Sequence, residues 1–299
     1  MGYTPTSVLH SSPGFILKLR AYIELLKLRL SFLVVFSSAF GYILGNTGSF
    51  EWYPFIIFCL GGFMISGSAV TINQVLEADL DKIMKRTQSR PLPTGKVSSQ
   101  EAFIYATALL IIGFSLILYS TNILTALLSI LSLVLYAFLY TPLKRMGPIA
   151  VFAGAIPGAL PPLLGWTASA GSISFEALLI FGIQFIWQFP HFWAIAWIAD
   201  EDYKKAGFKL LPGNGKKDLQ TAFQIMIYTL FLIPLGLLPA TFGLTGIYSA
   251  MIASVCGVLF LIQTFRHMKD CSRKSALWIM YGSFIYLPIV QISFLIDKI

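Results

Sequence analysis

The chain has 299 residues, of which 57% are hydrophobic and 11% are charged, and its formal net charge at pH 7 is +8. A soluble domain carries roughly 25% charged residues, so the composition excludes an ordinary water-soluble enzyme and leaves no room for a separate soluble domain. The positive charge is spread over short segments between apolar runs, which argues against a nucleic-acid partner.

Apolar runs near the roughly 20-residue length of a membrane-spanning helix recur along the whole chain. We count nine such runs and therefore predict an all-α integral membrane protein. Its nine transmembrane helices would form one bundle around a central cavity that opens near the cytoplasmic side. The runs cover residues 30–46, 53–76, 100–119, 122–140, 148–167, 175–198, 220–240, 245–265 and 276–296. The division of residues 100–140 into two spans rests on the polar stretch at residues 120–122.

The segment before the first span mixes basic and apolar positions at helical spacing over residues 14–30, which predicts an amphipathic helix at the membrane interface. We therefore divide the chain into a cytoplasmic N-terminal segment, residues 1–29, and one nine-helix domain, residues 30–296. Two connections, residues 77–99 and 199–219, are long and polar, and loops longer than about 12 residues are usually functional or disordered.

Lysine and arginine predict the orientation. With nine spans and a cytoplasmic N-terminus, all but one of the 21 basic residues lie on the cytoplasmic side, and Lys298 alone lies outside with the C-terminus. An even number of spans would scatter these charges over both sides. The N-terminus has no cleavable signal, which favours a bacterial inner (plasma) membrane over an organelle.

The second span ends in a group of acidic residues. Asn73, Glu77 and Asp81 are spaced four residues apart, so a continuous helix would place them as a slanting stripe on one face. This arrangement suits Mg²⁺, which is usually held by one or two carboxylates together with substrate phosphates. Asp79 points to the opposite side and is a poorer candidate. Acids at a membrane boundary are often only solvated, but polar groups that begin inside an apolar span usually mark a site.

The sixth span carries a second set of polar residues at helical spacing: Gln184, Gln188, His191 and Asp202. Because 18 residues make about five turns of an α-helix, these side chains return to nearly the same face and predict a polar stripe that faces a cavity. Asp200 and Glu201 are less central. A single histidine in a bundle is usually a hydrogen-bonded core residue, so a structural and a functional role both stay open for His191.

Basic residues follow both acidic groups. The candidates for binding a diphosphate are Arg86, Arg90, Lys144, Arg145 and Lys205, and Tyr140 and Tyr203 are neighbouring polar residues of the predicted cavity. Arginine binds phosphate oxygens bidentately, and lysine supplies a point charge. Such residues also act as topology signals. Acidic groups that hold a metal, surrounded by cations, are the arrangement that the departure of a diphosphate requires.

From about residue 20 to residue 296 the chain resembles the UbiA-type intramembrane prenyltransferases. Their first motif, Asn-x-x-x-Asp-x-x-x-Asp, is matched by residues 73–81 with Glu77 in place of the middle aspartate. Their second, aspartate-rich motif is thinned to Asp200 and Asp202. Four strings in order resemble the branch that farnesylates haem: MKRT followed by RPL (84–92), YTPLKR (140–145), WQFPHF (187–192), and DYKKAG followed by LP (202–212).

The resemblance implies an Mg²⁺-dependent reaction of farnesyl diphosphate with haem b that gives haem O for hand-over to a terminal oxidase assembly. The implied metal ligands are Asn73, Glu77, Asp81 and Asp202, and the implied diphosphate contacts include Arg86, Arg90 and Lys144. A haem vinyl group would attack a farnesyl cation, and water would quench the product cation. His191 would contact or ligate the haem iron, or position that water.

Two alternatives stay open. A sister enzyme would prenylate an aromatic acid or a quinone precursor at the same diphosphate site, but it predicts a denser second aspartate motif and no histidine at position 191. A transporter would line a substrate path with the intramembrane polar residues. It would leave the Mg²⁺-type spacing and the basic loops without a role.

Overall fold

The computed structural model describes residues 15–213 and 215–299, and this part of the chain is almost entirely α-helical. The first fourteen residues of the predicted N-terminal segment, and Asn214 of the second long loop, lie outside the described residues. The helices are, in chain order, α1 (Phe15–Leu25), α2 (Leu28–Gly45), α3 (Trp52–Leu76), α4 (Ala78–Ile83), α5 (Ser99–Ser120), α6 (Ile123–Val134), α7 (Thr141–Leu143), α8 (Ile149–Ala170), α9 (Phe175–Ile198), α10 (Asp200–Lys205), α11 (Leu219–Thr241), α12 (Ile247–Asp270) and α13 (Arg273–Ile296).

The predicted nine spans are confirmed: in the described part of the chain, nine helices are long and apolar enough to cross a membrane. They are α2, α3, α5, α6 continued to α7, α8, α9, α11, α12 and α13. The third and fourth spans are separate because α5 ends at Ser120 and Asn122 caps α6, accepting the backbone N–H of Thr125 at 2.9 Å. An asparagine at this position satisfies a helix N–H that would otherwise lack a partner.

The segment before the first span is a helix of its own. Leu25, the last residue of α1, is fully buried, and its carbonyl oxygen accepts a hydrogen bond from Gln74 Nε2 at 2.8 Å. Lys27 then adopts left-handed backbone angles, φ 46° and ψ 58°, and α2 begins at Leu28. The first span therefore starts two residues before the predicted residue 30, and α1 is docked on α3.

Small residues allow the helices to approach closely. A Cβ on Gly41 would overlap the carbonyl oxygen of Pro162, and one on Gly165 would overlap that of Ser38. Glycine at both positions thus allows the backbones of α2 and α8 to touch, as is common between helices in membranes. The outer surface of the bundle exposes large apolar side chains such as Ile111, which suits contact with lipid tails.

The fourth span ends irregularly. Residues Leu135–Tyr140 form a π-helical stretch between α6 and α7. Such stretches inside α-helices are frequent at functional sites. This one places Tyr136 and Tyr140, with ring centroids 5.6 Å apart, on the wall of a cavity inside the bundle.

Candidate active site

The cavity inside the bundle has a volume of about 470 Å³. It begins at the end of the bundle where the two long loops leave, which we call the loop end, and continues between apolar helix faces. Its wall contains eleven of the fourteen predicted site residues: Asn73, Glu77, Asp81, Arg86, Arg90, Tyr140, Lys144, Gln184, Gln188, His191 and Tyr203. One cavity thus joins the two polar groups that the sequence places about 100 residues apart.

The first acidic group lies at a helix break. The expectation of one continuous helix through Asp81 is wrong: α3 ends at Leu76, Glu77 has φ −103° and ψ 9°, and α4 begins at Ala78. The hydrogen bonds nevertheless continue, from Glu77 N to Asn73 O at 3.0 Å and from Asp81 N to Glu77 O at 2.8 Å. Asn73, Glu77 and Asp81 therefore stay on the same side and all line the cavity.

Two cations pair with these acids inside the protein. Lys144 Nζ lies 2.8 Å and 3.1 Å from the two carboxylate oxygens of Glu77, and both residues are buried. Arg90 Nη1 lies 2.6 Å from Asp81 Oδ2, and Asp81 is fully buried. Lys144 Nζ is also 4.7 Å from the centroid of the Tyr140 ring. Burial lowers the pKa of Lys144 from its ordinary value, while the Glu77 carboxylate opposes that shift.

Lys27 adds a further cation, which the sequence interpretation had counted only as a topology signal. Its half-buried side chain lines the cavity from the break between α1 and α2. Burial lowers the pKa of Lys27 to about 7, and the charges of Arg90 and Lys144 contribute in the same direction. A lysine with left-handed backbone angles is uncommon and costs of order 1–3 kcal/mol, a cost that functional sites often retain.

The second acidic group is arranged differently. The expectation that Asp202 shares a face with Gln184, Gln188 and His191 is wrong, because α9 ends at Ile198 and a break at Ala199 redirects the chain into α10. Asp202 does not line the cavity, and its Oδ2 accepts the backbone N–H of Arg86 at 3.1 Å.

Burial acts to raise the pKa of Asp202, but hydrogen bonds from the backbone N–H groups of Arg86 and Lys85 outweigh it and hold that pKa below its usual value. Lys205 lies 3.7 Å from Asp202 Oδ1 at the exposed surface. Asp202 therefore ties the two long loops together, and through Arg86 it lies beside the cavity.

The sixth span contributes its polar residues deeper in the bundle. The Nε2 groups of Gln184 and Gln188 donate to the carbonyl oxygen of Gly158 at 2.8 Å and 2.9 Å. Gln291 of α13 donates to Gln184 Oε1 at 2.9 Å. His191 contacts Ser283 of α13 through Nδ1, at 2.8 Å from the serine oxygen. The predicted stripe of Gln184, Gln188 and His191 therefore faces the cavity, and Pro190 does not interrupt the helix.

Some predicted residues lie outside the cavity. Arg145 and Lys205 are exposed and do not contribute to its wall. Of the acids ranked lower from the sequence, Asp79 is exposed and pairs with Lys82 at 2.8 Å, whereas Asp200 is buried and lies 2.8 Å from Lys204 Nζ. The low ranking of Asp79 agrees with its exposure.

The remaining polar groups at the loop end fit a metal that arrives with a phosphate. The described residues contain no group of three or more His, Cys, Asp and Glu side chains able to hold a metal by themselves. Asp81 Oδ1 is buried and has no hydrogen-bond partner among the described residues. Asn73 donates through Nδ2 to Thr141 Oγ1 at 2.9 Å, which leaves its amide oxygen as an acceptor. Mg²⁺ takes one or two carboxylates plus phosphate oxygens, so this donor set suits Mg²⁺ with a diphosphate.

Sequence reasoning missed several residues on this wall. Thr141 orients Asn73, Ser283 contacts His191, and Gln291 extends the glutamine network. Gln291 carried a usable signal, because a glutamine inside the apolar last span is costly in a membrane unless it has a partner. Ser283 carried none, since a serine among apolar residues is common in spanning helices.

The chain matches the model of the UbiA prenyltransferase family over residues 34–287. The chain belongs to this family. A curated relative, the Protoheme IX farnesyltransferase of Cytophaga hutchinsonii, is 53% identical to this UbiA prenyltransferase over 280 residues, which cover 94% of this chain and 98% of the relative.

Solved structures show the same fold. A structure of a digeranylgeranylglyceryl phosphate synthase has a TM-score of 0.77 at 20% identity, covering 94% of this chain and 98% of that one. A UbiA homolog from Archaeoglobus fulgidus bound to GPP and Mg²⁺ has a TM-score of 0.64 at 16% identity, covering 92% of this chain and 99% of that one. The protein is therefore a multi-pass membrane enzyme of the prenyltransferase class, which contradicts the transporter alternative.

Proposed function

We propose that this UbiA prenyltransferase transfers the farnesyl group of farnesyl diphosphate to a vinyl group of haem b, with addition of water, giving haem O and diphosphate. The observation that carries the proposal is the layout of one cavity, with cations and acids at the loop end and His191 among apolar and aromatic walls deeper in. The high identity to a Protoheme IX farnesyltransferase over nearly the whole chain supports the choice of acceptor.

The diphosphate would bind at the loop end. Lys27, Arg86 and Arg90 line this part of the cavity together with Lys144, and each can donate to phosphate oxygens. Arg86 also lies 3.4 Å from the hydroxyl of Tyr203, which holds its guanidinium beside the cavity. We further propose that the predicted contacts Arg145 and Lys205 act at the outer rim, since both are exposed.

Asn73, Glu77 and Asp81 would hold the Mg²⁺ that accompanies the diphosphate. When bound, the metal neutralises charge that develops on the leaving group. Asp202, the fourth predicted ligand, accepts the backbone N–H of Arg86 and would reach the metal only if that hydrogen bond opened. Rearrangement of the Lys144–Glu77 and Arg90–Asp81 pairs would release the acids toward the metal and the cations toward phosphate.

Departure of diphosphate leaves an allylic farnesyl cation, which the deeper walls would protect from water. The π-faces of Tyr136, Tyr140 and Phe208 line the cavity beside the acids and stabilise positive charge. The electron pair of a haem vinyl group then forms the bond to C1 of the farnesyl chain. Water adds to the remaining cation on the vinyl carbon next to the porphyrin and loses a proton, which completes the hydroxyethylfarnesyl group.

The orientation and the cellular setting are part of the same proposal. The lysine and arginine distribution supports a cytoplasmic N-terminus and an external C-terminus. Residence in the bacterial inner membrane stays a prediction. The loop end would then face the cytoplasm, where farnesyl diphosphate is dissolved. Haem O would leave through the bilayer for a terminal oxidase assembly.

Purified protein with farnesyl diphosphate, haem b and Mg²⁺ should form haem O, detected by liquid chromatography and mass spectrometry. Omitting Mg²⁺ or adding a chelator should abolish the product. The variant Asp81→Asn should be inactive, and its matched control Asp79→Asn should retain activity because Asp79 is exposed. Prenylation of an aromatic acid or a quinone precursor without any haem product would overturn the proposal in favour of the sister activity.

A further inference from the structure

His191 and Ser283 form a hydrogen bond whose direction the surroundings determine. His191 Nδ1 lies 2.8 Å from Ser283 Oγ, and the same oxygen lies 2.7 Å from the carbonyl oxygen of Met280, to which it donates. A hydroxyl carries one proton. A carbonyl oxygen can only accept, so the serine proton satisfies Met280 when Ser283 accepts from His191, and in this arrangement the imidazole carries its proton on Nδ1.

The imidazole ring is also held on its faces. Trp187 stacks on His191 with ring centroids 4.6 Å apart and an angle of 15° between the planes, and Trp187 Nε1 donates to the backbone oxygen of Ser283 at 3.0 Å. Phe284 meets the ring edge-on at 4.9 Å. Ser283 thus binds both aromatic residues, one through its hydroxyl and the other through its carbonyl, and the ring has little freedom to turn.

The second ring nitrogen is left for a ligand. Nε2 of His191 makes no hydrogen bond within residues 15–213 and 215–299, and His191 lines the cavity. His267 offers a contrast: its Nδ1 also contacts a serine of α13, Ser275 at 2.7 Å, but its Nε2 is buried and finds no partner in the part of the chain that the structure describes. The two histidines have similar serine contacts, and only His191 of the pair presents its other nitrogen to a cavity.

We propose that Ser283 is a positioning residue that holds His191 as the Nδ1–H tautomer, so that the Nε2 lone pair binds the iron of haem b. This inference rests on the proposed function. Neutral imidazole is a good ligand for iron, whereas Mg²⁺ prefers oxygen, so His191 would not compete for the metal at the loop end. Histidine ligands of metals usually donate their other N–H to a fixed acceptor, and the hydroxyl of Ser283 is that acceptor for His191.

The position of His191 fits an acceptor site separate from the diphosphate. His191 precedes the break at Ala199 by eight residues, which is roughly 12 Å along the helix at about 1.5 Å per residue. The iron would therefore lie deeper in the bundle than the acids at the loop end. A haem bound through His191 would leave the loop end to the diphosphate.

The tautomer can be measured without any substrate. The chain has three histidines, and ¹⁵N labelling of histidine in protein embedded in nanodiscs separates Nδ1–H from Nε2–H rings by their nitrogen shifts. The difference between wild-type and His191→Ala spectra should show the Nδ1–H tautomer. Ser283→Ala should lose that preference, Ser283→Thr should keep it, and Ser275→Ala should leave it unchanged. An Nε2–H ring in the wild type would overturn the assignment.

Iron ligation is tested by titrating haem b into the purified protein and recording the absorption and electron paramagnetic resonance spectra. Wild type and Ser283→Thr should give a histidine-ligated haem, and His191→Ala should not. Ser283→Ala should weaken haem binding by about 10–100-fold, as is typical when the partner of a metal-ligating histidine is removed. Ser275→Ala should bind haem like the wild type. Identical haem spectra for wild type and His191→Ala would overturn the ligation.

Failure of the proposed function would look different. If the wild type bound haem through His191 but never formed haem O from farnesyl diphosphate, the ligation would stand and the proposed reaction would fall. If haem O formed while His191→Ala kept the wild-type haem spectrum, the reaction would stand and the ligation would fall.

Discussion

The two long loops begin at two similar helix breaks that serve different purposes. Glu77 has φ −103° and ψ 9°, Ala199 has φ −95° and ψ 8°, and a six-residue helix follows each of them. The first break directs Asp81 into the cavity, where it is fully buried. The second directs Asp202 away from the cavity and onto the backbone of Arg86. The two acids do not occupy equivalent positions: Asp81 lies four residues beyond its break, whereas Asp202 lies three beyond its own, and the fourth residue there, Tyr203, lines the cavity.

The two halves of the chain therefore contribute different groups to the cavity. The first half of the chain supplies the acids and most of the cations that suit an anion and its metal. The second half contributes chiefly through Gln184, Gln188 and His191, which precede its break and lie deeper. The two motifs are therefore not interchangeable, although both read as acidic helix ends in the sequence.

The largest expected effect separates the two acids directly. Asp81→Asn should reduce kcat/KM for haem O formation by at least about 100-fold, comparable to the loss of one group that stabilises transition-state charge. Asp202→Asn should cost about tenfold or less, because Asp202 acts through the position of Arg86. Asp79→Asn is the matched control for a general change of charge. Equal losses for Asp81→Asn and Asp202→Asn would show that both acids act on the metal.

The buried pair at the first break should also matter for stability. Lys144→Met leaves Glu77 as an unpaired buried charge, and breaking such a pair costs about 3–5 kcal/mol. Thermal unfolding in detergent should show this loss, and the exposed neighbour Arg145→Met should not. The double variant Glu77→Gln with Lys144→Met should regain much of the stability and none of the activity. A double variant as unstable as Lys144→Met would contradict this account of the pair.

The bilayer explains why so much of the fold could be predicted. A span must satisfy its own backbone hydrogen bonds and cover the apolar thickness, so length and hydrophobicity alone predict the nine helices. The stripe of Asn73, Glu77 and Asp81 was likewise readable, because a four-residue spacing keeps side chains on one face even across the break.

The rest of the site depends on contacts that no local pattern contains. Neither Glu77 nor Ala199 is a glycine or proline, so the breaks carry no sequence signal, and the second one moved Asp202 off its predicted face. The pairing of His191 with Ser283 spans 92 residues of chain. Lys27 reaches the cavity only because α1 docks on α3 and the chain turns there with a positive φ.

The apolar part of the cavity provides a further test of the first half of the chain, because its wall includes residues of α3 that precede the first break. Gly62 lies on this wall, and a Cβ at this position would have no atom of the described residues within 4 Å. It is 11 residues from Asn73, or roughly 16 Å at about 1.5 Å per residue, a depth that suits the far end of a prenyl chain. Gly62→Leu should therefore lower the preference for farnesyl over geranyl diphosphate by about tenfold, in line with the value of a few methylene groups in an apolar pocket.

Gly182 of α9 is the matched control, because its Cβ position is equally open and it does not line the cavity. Gly182→Leu should leave the ratio of kcat/KM for the two diphosphates unchanged. An unchanged ratio in Gly62→Leu as well would place the prenyl chain elsewhere, against the aromatic wall of the second half.

Lys27 should produce the smallest effect, and its sign follows from its pKa. The group loses its proton above about pH 7 in the free protein, whereas a bound diphosphate favours the charged form. If only the charged form of Lys27 binds the diphosphate, KM for farnesyl diphosphate rises with pH, because the charged fraction of the free protein falls. One pH unit changes the protonation ratio tenfold, so the rise from pH 7 to pH 8 is up to about fivefold. Lys27→Arg keeps its charge over this range and should remove that part of the pH dependence.

The ratio of the KM values of wild type and Lys27→Arg isolates the contribution of Lys27, because all other titrations, including that of the diphosphate, are the same for both proteins. A constant ratio between pH 6.5 and pH 8.5 would show that Lys27 does not meet the anion, and the first break would then bind it with Arg86, Arg90 and Lys144 alone.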